Sequence, residues 1–597
     1  MATTWHGHGH EAAVERPILD DISLAEPWAL LERFSSLVRL SGSPQEAEAA
    51  AYITGKLSQW GVPYRVHHPV TLISLPGPAS LRTLGPNGRS FSVKTSSFSP
   101  STNGEEITGE LVYVPGRQAQ AIGDLFSGAP SAIGAQDLRG KVVMTEGLGI
   151  AARGLDLAGS GAIAALFINP GQRIHEGITT TNWGAPELGA QGRTPPVPVF
   201  GINHPDGEAL KTMLAAGPVR LALANQVDTG WRPIPVIVAE IAGSQAADEF
   251  VLFHGHLDSW HVGIGDNATG DATLLEVARV FHQHREHLAR TLRVAWWSGH
   301  SHGRYAGSTW YAQEFAQDLV ANCVAHVNCD SPGCRWATEY RDVYAMAEAA
   351  GLVKAAVKDV TGQAAATEPP LRAGDISFNN LGISTCFMLS STMPLALAHE
   401  KGYYGVGGCG GNIAWHTEDD TMEIADRDNL LRDMRVYAAT LVRLLNAPLY
   451  PLDYRATVDQ IVAIVERLQQ AAGEKFDFAA SLRAASDLRA TLDRFYDESA
   501  ELSEREADDP VVRQANATQR LLARSLVTTV YSQDGRFRQD PAHTYPPLPE
   551  LAPAAELAEV APGSDRHHVL RVHLARGQNR LVWALRQAEH RIAERIS

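Results

Sequence analysis

Five groups of potential metal ligands stand at the ends of apolar runs in one stretch of the chain: His256, Asp266, the segment His300-Ser301-His302, Asp330 and His416. Imidazole nitrogens and carboxylate oxygens are the ligands that divalent transition ions select. His256 is followed by Leu257-Asp258, and a carboxylate two residues on can orient the imidazole and fix its tautomer. Asp266 lies in Gly265-Asp-Asn-Ala-Thr-Gly270, where glycine admits close backbone approach and a helix follows. Its two oxygens could bridge two cations; taken alone, an Asp there is equally a helix N-cap. Asp330 closes Val327-Asn-Cys-Asp330, and His416 follows the glycine-rich loop 405–411. Each piece alone is commonplace. Their order along one alternating region predicts a metal centre, with Asp258, His300 and Ser301 as candidate catalytic residues.

Those residues need a scaffold that gathers strand ends. Val236 to Ile241, Glu249 to His254, Leu292 to Trp297 and Val324 to Cys329 are apolar runs of strand length, and a helix over 272–284 lies between two of them. The alternation predicts an α/β fold, a mixed, mainly parallel sheet flanked by helices. Ligands then collect beyond the carboxyl ends of the strands. Upstream, Trp28, Leu31 and Phe34 mark one helix. Ser43-Pro44 opens a second, and Gly61-Val62-Pro63 ends it. Short β-runs punctuated by Gly and Pro over 105–235 read as an inserted β-rich module that covers a cleft or binds a partner. After Pro451 the apolar spacing is helical. The expected division is a flexible His-rich arm over 1–20, a catalytic domain over 21–104 and 236–450, the insert over 105–235, and a helical domain over 451–597.

Composition narrows the function. The 597 residues carry a net charge of −16, which argues against nucleic acid and anionic membrane as partners. No apolar run is long enough to span a bilayer, and the amino-terminal stretch has no signal-like apolar core. Five cysteines without a CxxC pair read as reduced thiols, which predicts a cytoplasmic location. Arg304 and Tyr305 could hold a substrate carboxylate or carbonyl, and Tyr403 and Tyr404 in the glycine-rich loop could line the pocket. Trp260 and His261 could form aromatic walls, or simply pack.

The segments His254-Gly-His-Leu-Asp-Ser259, Gly265–Gly270, Ala306-Gly-Ser308, Asn328-Cys-Asp330 and Trp415-His-Thr417 together resemble the M28 family of zinc aminopeptidases. With the insert, similar to a protease-associated domain, and the helical carboxyl end, the architecture resembles the glutamate carboxypeptidase II and transferrin receptor branch. The resemblance implies one metal on His256 and Asp330, a second on His416, and Asp266 bridging. It also implies a Glu-Glu pair, one ligand and one base, where this chain reads Gly299-His-Ser-His-Gly303. Aligned from the preceding strand the pair falls on His300-Ser301; aligned back from Gly307-Ser308 it falls on Ser301-His302. Serine is a poor zinc ligand and imidazole a good one. The expectation is therefore His302 as the replacement ligand and His300 as an acid/base group, with the reverse assignment open. Asp375 lies where the family often has a Ser-Asp turn beside the site. The implied cofactor is one or two divalent transition-metal ions, most simply zinc. The implied function is hydrolysis of an amide or related bond in a small or short peptide-like substrate, by a homodimer joined through its helical domain. Two alternatives are a metal-dependent lyase or acyltransferase on the same scaffold, and a receptor-like binding protein.

Overall fold

The computed structural model describes residues 9–596 apart from 87, 127–132, 134–135, 152, 154–156, 158 and 191–192. Its centre is a six-stranded sheet of β1 (Tyr64–His67), β2 (Val236–Ile241), β3 (Ala246–His256), β4 (Arg290–Trp297), β5 (Cys323–Asn328) and β6 (Ser384–Cys386). The spatial order is β1-β2-β4-β3-β5-β6. β4, β3, β5 and β6 run parallel, while β2 and β1 pair antiparallel at one edge. The expected α/β class is the observed one. The run Val-Leu-Phe-His-Gly-His of β3 is buried on both faces, as a central strand with helices above and below requires. The helix Thr269–Gln283 packs on the sheet and is buried along nearly its whole length.

Registers set the site. In β3, His256 lies opposite Trp297 of β4, and His254 lies opposite Asn328 of β5. The three strands therefore end together, and the residues just beyond them share one edge. The helix Pro44–Trp60 has the signals expected of it. The Ser43 side chain accepts from the Glu46 amide, Pro44 sits in the first turn, and Gly61 at φ 72° closes the end.

The second sheet has eight strands and begins earlier than its texture indicates. Val70–Thr83, expected within the catalytic layer, pairs antiparallel with Arg220–Pro233 over most of its length. The second sheet thus takes in Val70–Thr83, upstream of the 105–235 stretch. That strand carries Pro and Gly in a half-exposed ribbon, so it lacked the short apolar look of its partners. The arm also departs from expectation: Gly9–Asp21 is helical, Ile18 is buried, and Glu15 pairs with Arg443. Apolar anchoring and a buried ion pair hold it. Of its histidines, His6 and His8 lie outside the described residues. The carboxyl end is helical, with Tyr454–Ala472, Ala479–Glu498, Pro510–Val530 and Asp565–Ile596.

Candidate metal centre

Beyond the carboxyl edge of β3, β4 and β5, His256, His300 and Asp330 offer ligand atoms that all lie within 4.8 Å of one another. Gly299, at φ 76°, turns the chain after β4 and delivers His300. The His300 ring stacks on His256 with centroids 3.7 Å apart. Both rings are fixed from behind. His256 Nδ1 donates to the Asp258 carbonyl at 2.8 Å. His300 Nδ1 donates to Asp375 Oδ2 at 2.7 Å, and Asp375 Oδ1 in turn accepts from Ser308 at 2.6 Å. With both Nδ1 atoms engaged, each ring is held with Nε2 as its remaining nitrogen, the arrangement that orients metal-binding histidines.

Asp266 spans the pocket. The backbone amides of Gly265 and Asp266 donate to Asp420 at 2.7 and 2.9 Å, which holds the loop. The Asp266 carboxylate then stands 3.0 Å from His256 Nε2 on one side and 3.3 Å from His416 Nε2 on the other. His416 is itself fixed by Nδ1 donation to the Glu176 carbonyl at 3.0 Å.

The electrostatics call for a cation. Burial pushes the Asp330 carboxyl up to about 6, against the attraction of His256 and with the repulsion of Asp266. Burial opposes a charge on Asp266 as well, but hydrogen bonds to His256 and His416 hold its carboxyl well below the usual range. Burial disfavours protonation of His256, yet Asp266 and Asp330 keep it well above its ordinary value. Among the described residues no Lys or Arg pairs with either carboxylate. Two buried carboxylates with imidazoles as their basic partners and no Lys or Arg are costly unless a further cation joins them. The donor set of two imidazoles and two carboxylates fits a divalent transition ion.

Several expected roles move. His302 does not face this pocket. Its Nδ1 lies 3.0 Å from Ser41 Oγ, its ring lies against Trp260, and Asp258 is 3.6 Å away. Alternate residues of the turn point to opposite sides, and it is His300 that joins His256 and Asp330. The Asp258 carboxylate does not touch the His256 ring closely either, at 4.0 Å. It accepts the backbone amides of His300 and Ser301 at 3.0 and 2.9 Å and the Ser41 hydroxyl at 2.8 Å. Buried at 0% exposure, it positions the loop rather than reaching a substrate. Ser301 Oγ is buried without a hydrogen-bond partner among the described residues. Tyr305 lines the pocket, edge-on to His300 at 4.8 Å. Tyr404 instead bonds His175 at 2.7 Å, and Tyr403 lies against Trp336; both are drawn off by the aromatic packing of the loop. Trp260 packs with Phe98 and Ile178, and His261 pairs with Glu176.

The insert supplies what the sequence did not announce. Residues 174–184 are buried throughout, sunk against the catalytic layer. Within them Glu176 lines the metal pocket, its Oε1 held by Lys94 at 2.9 Å and His261 at 3.1 Å. Trp183 stacks on Tyr305 at 4.1 Å. Arg304 also lines the pocket at 4% exposure. Its Nη2 donates to the Ala542 carbonyl at 3.3 Å, while Nε has no partner and the guanidinium no carboxylate among the described residues. Burial lowers its pKa, with Arg372 nearby adding to the effect. His261, Arg304, Tyr305, Ser331 and His416 all have positive φ between 48° and 70°. Such backbones cost about 1–3 kcal/mol each and persist where surrounding contacts enforce them.

Residues 236–441 match Peptidase family M28. The match covers the stretch from β2 to the helix Arg427–Asn446, which includes every candidate ligand. Over 498 residues the chain is 24% identical to "Probable glutamate carboxypeptidase VP8" of Zea mays, covering 72% of this chain and 68% of that protein. Carboxypeptidase Q of Xenopus laevis is 27% identical over 285 residues, 46% of this chain and 58% of its own length. The chain therefore spans about two thirds or less of these relatives. Among solved structures, the aminopeptidase of Aneurinibacillus sp. strain AM-1 superposes with a TM-score of 0.53 at 20% identity, over 72% of this chain and 96% of that one. The zinc aminopeptidase BSAP of Bacillus subtilis gives 0.50 at 17%, over 70% and 94%. These two establish likeness of fold. The family match and the curated relatives support a metal-dependent hydrolase.

Proposed function

We propose that the chain hydrolyses an amide or related bond in a small substrate that carries a free carboxylate, using a divalent ion, most simply zinc, held by His256, His300, Asp330 and Asp266. The observation that carries this reading is the convergence of the His256 and His300 imidazoles, their rear nitrogens already engaged, with the buried Asp330 carboxylate, and with Asp266 3.0 Å from His256. An ion in that place polarises a carbonyl and makes a water acidic. The chain's own groups do the rest. Asp258 and Asp375 lock the loop and the His300 ring. Glu176, the one carboxylate on the described pocket wall besides Asp266 and Asp330, accepts the proton of the attacking water and returns it to the leaving nitrogen. Arg304 pairs with the substrate carboxylate, which satisfies a guanidinium otherwise buried without an anion.

Two further assignments belong to the same reading. The five cysteines are free and buried, which supports a reducing, cytoplasmic setting. The helix Asp565–Ile596 exposes Val569, Val572 and Trp583, which supports a homodimer joined through the helical domain.

The test is turnover by chelator-stripped and re-metallated protein on amino-acid amides, dipeptides and N-acyl amino acids. Expected is activity only with metal, on substrates with a free carboxylate, and an Arg304→Ala variant whose kcat/KM falls about 10- to 100-fold while amidated substrates are little affected. Absence of turnover across the panel overturns the reading. A product formed without incorporation of solvent oxygen points to a lyase or acyltransferase instead.

A further inference from the structure

We infer that this centre holds one ion per chain, and that the second position of the two-metal layout stays empty because the chain no longer supplies its ligands. The inference rests on the hydrolase reading for the first ion and goes beyond it in the count. Two structural observations carry it. On the first side of Asp266, three further donors converge: His256, His300 and Asp330. On the second side, only His416 Nε2 faces Asp266 Oδ2, at 3.3 Å. Among the described residues, no third His, Cys, Asp or Glu brings a ligand atom within 4.8 Å of that pair.

The loop after β4 accounts for the deficit. His300, the first residue of the segment aligned from the strand, is turned onto His256 and joins the first side. Ser301, the next, offers only a hydroxyl, and its backbone is tied to Asp258 at 2.9 Å. His302, the remaining candidate, is turned away and fully buried against Trp260 and Ser41. Glu176 lines the pocket, but its Oε1 is engaged by Lys94 and His261, and its carboxylate does not join His416 and Asp266 in a cluster within 4.8 Å. A stable transition-ion site uses about four ligands, at least three of them from protein. One imidazole and one shared carboxylate oxygen fall short of that. The first side, by contrast, brings three donors within 4.8 Å of one another, with Asp266 Oδ1 3.0 Å from one of them, His256 Nε2. His416 is then no longer a ligand. It is a hydrogen-bonding support for Asp266, held in turn by the Glu176 carbonyl.

The experiment is metal stoichiometry of the full-length chain, stripped with chelator and titrated with Zn²⁺ or Co²⁺, read by elemental analysis and by the Co²⁺ electronic and paramagnetic spectra. Expected is saturation at one ion, with a Co²⁺ signal free of spin coupling. His416→Ala should still bind one ion, whereas His300→Ala should weaken binding at least tenfold. Ser301→Glu should raise the count towards two. Two ions in the unmodified chain, or loss of an ion in folded His416→Ala, overturns the inference, as does full affinity in His300→Ala. A count that stays at one in folded Ser301→Glu counts against the part assigned to that residue. These readouts are independent of turnover. One ion without any amide hydrolysis would defeat the hydrolase reading alone, and two ions with hydrolysis would defeat the count alone.

Discussion

The two walls of the metal pocket are built by different means. One is the edge of the parallel sheet, where His256, His300 and Asp330 stand just beyond three strands in fixed register. The other is assembled from distant loops. His416 hangs from the Glu176 carbonyl of the insert, and Arg304 reaches the Ala542 carbonyl near the carboxyl end. The sheet wall places its ligands through backbone pairing inside a buried core. The loop wall holds His416, Arg304, Tyr305 and His261 in left-handed backbones, which persist because surrounding contacts enforce them. The sheet edge thus has the rigidity that metal binding needs, and the loop wall has the groups that meet substrate.

Substitutions should separate the two walls. The largest effect belongs to the sheet wall. His256→Ala or Asp330→Ala removes a ligand that also neutralises its neighbours, so bound metal and turnover should fall together. The loss of several kcal/mol of Lewis-acid assistance corresponds to on the order of 10³-fold or more in kcat. Elemental analysis beside steady-state kinetics checks it; a variant with full activity and no ion would sink the assignment.

On the loop wall, Glu176→Gln should leave metal content unchanged and lower kcat about 10²-fold, the usual scale for a lost proton acceptor. Metal loss in this variant would mean that the two walls are not separable in the way described.

Between these lies the support under the sheet wall. Asp258 is buried, and burial alone would raise its pKa, but the nearby imidazoles of His302, His256 and His300 hold it well below the usual carboxylate range. Its carboxylate accepts the amides of His300 and Ser301. Asp258→Asn keeps the shape and loses part of that acceptance. A positioning role predicts metal affinity weakened roughly 10-fold, with KM for a saturating metal little changed. A structural role alone would lower Tm without moving affinity.

Much of the sheet wall was legible in the sequence, because an apolar run of strand length that stops at a His or Asp encodes both the strand and the place where its side chains emerge. The loop wall was legible only in part: His416, Arg304 and Tyr305 stood out as candidates, and Glu176 did not. Nothing local to Glu176 signals a site, since its partners, Lys94, His261 and His416, are far from it in sequence. The choice between His300 and His302 stayed open in the sequence for a related reason. Both lie in one Gly-bounded turn, and which of them faces inward depends on Gly299 at φ 76° and on Asp258 gripping the intervening amides. Tyr403 and Tyr404 were misplaced because a glycine-rich loop does not disclose which way its aromatics pack. The place of Val70–Thr83 in the second sheet was hidden because a twisted, half-exposed ribbon has no clean two-residue alternation.

The smallest effect concerns stability rather than chemistry, and it tests whether the sheet wall tolerates strain beneath it. Asp271, in the first turn of the helix behind Asp266, is fully buried, and neither carboxylate oxygen has a hydrogen-bond partner among the described residues. Arg39 stands 4.0 Å away and attracts the charge. Its guanidinium, however, spends its donors on the carbonyls of Leu257, Val262 and Gly263. Desolvation therefore prevails over that attraction, and the Asp271 carboxyl is pushed up to about 8. An unfolded Asp titrates near 3.9, so the folded chain keeps a proton that the unfolded chain has released. The contribution of this group to stability is full below about pH 4 and declines as pH rises towards 8. Asp271→Asn stays neutral throughout. Its Tm relative to the unmodified chain should therefore rise steadily between pH 5 and pH 8, while its metal content stays the same. A gap in Tm that does not change with pH would show that Arg39 stabilises the ionised carboxylate after all, and that the buried layer under the sheet edge is an ion pair rather than a neutral contact.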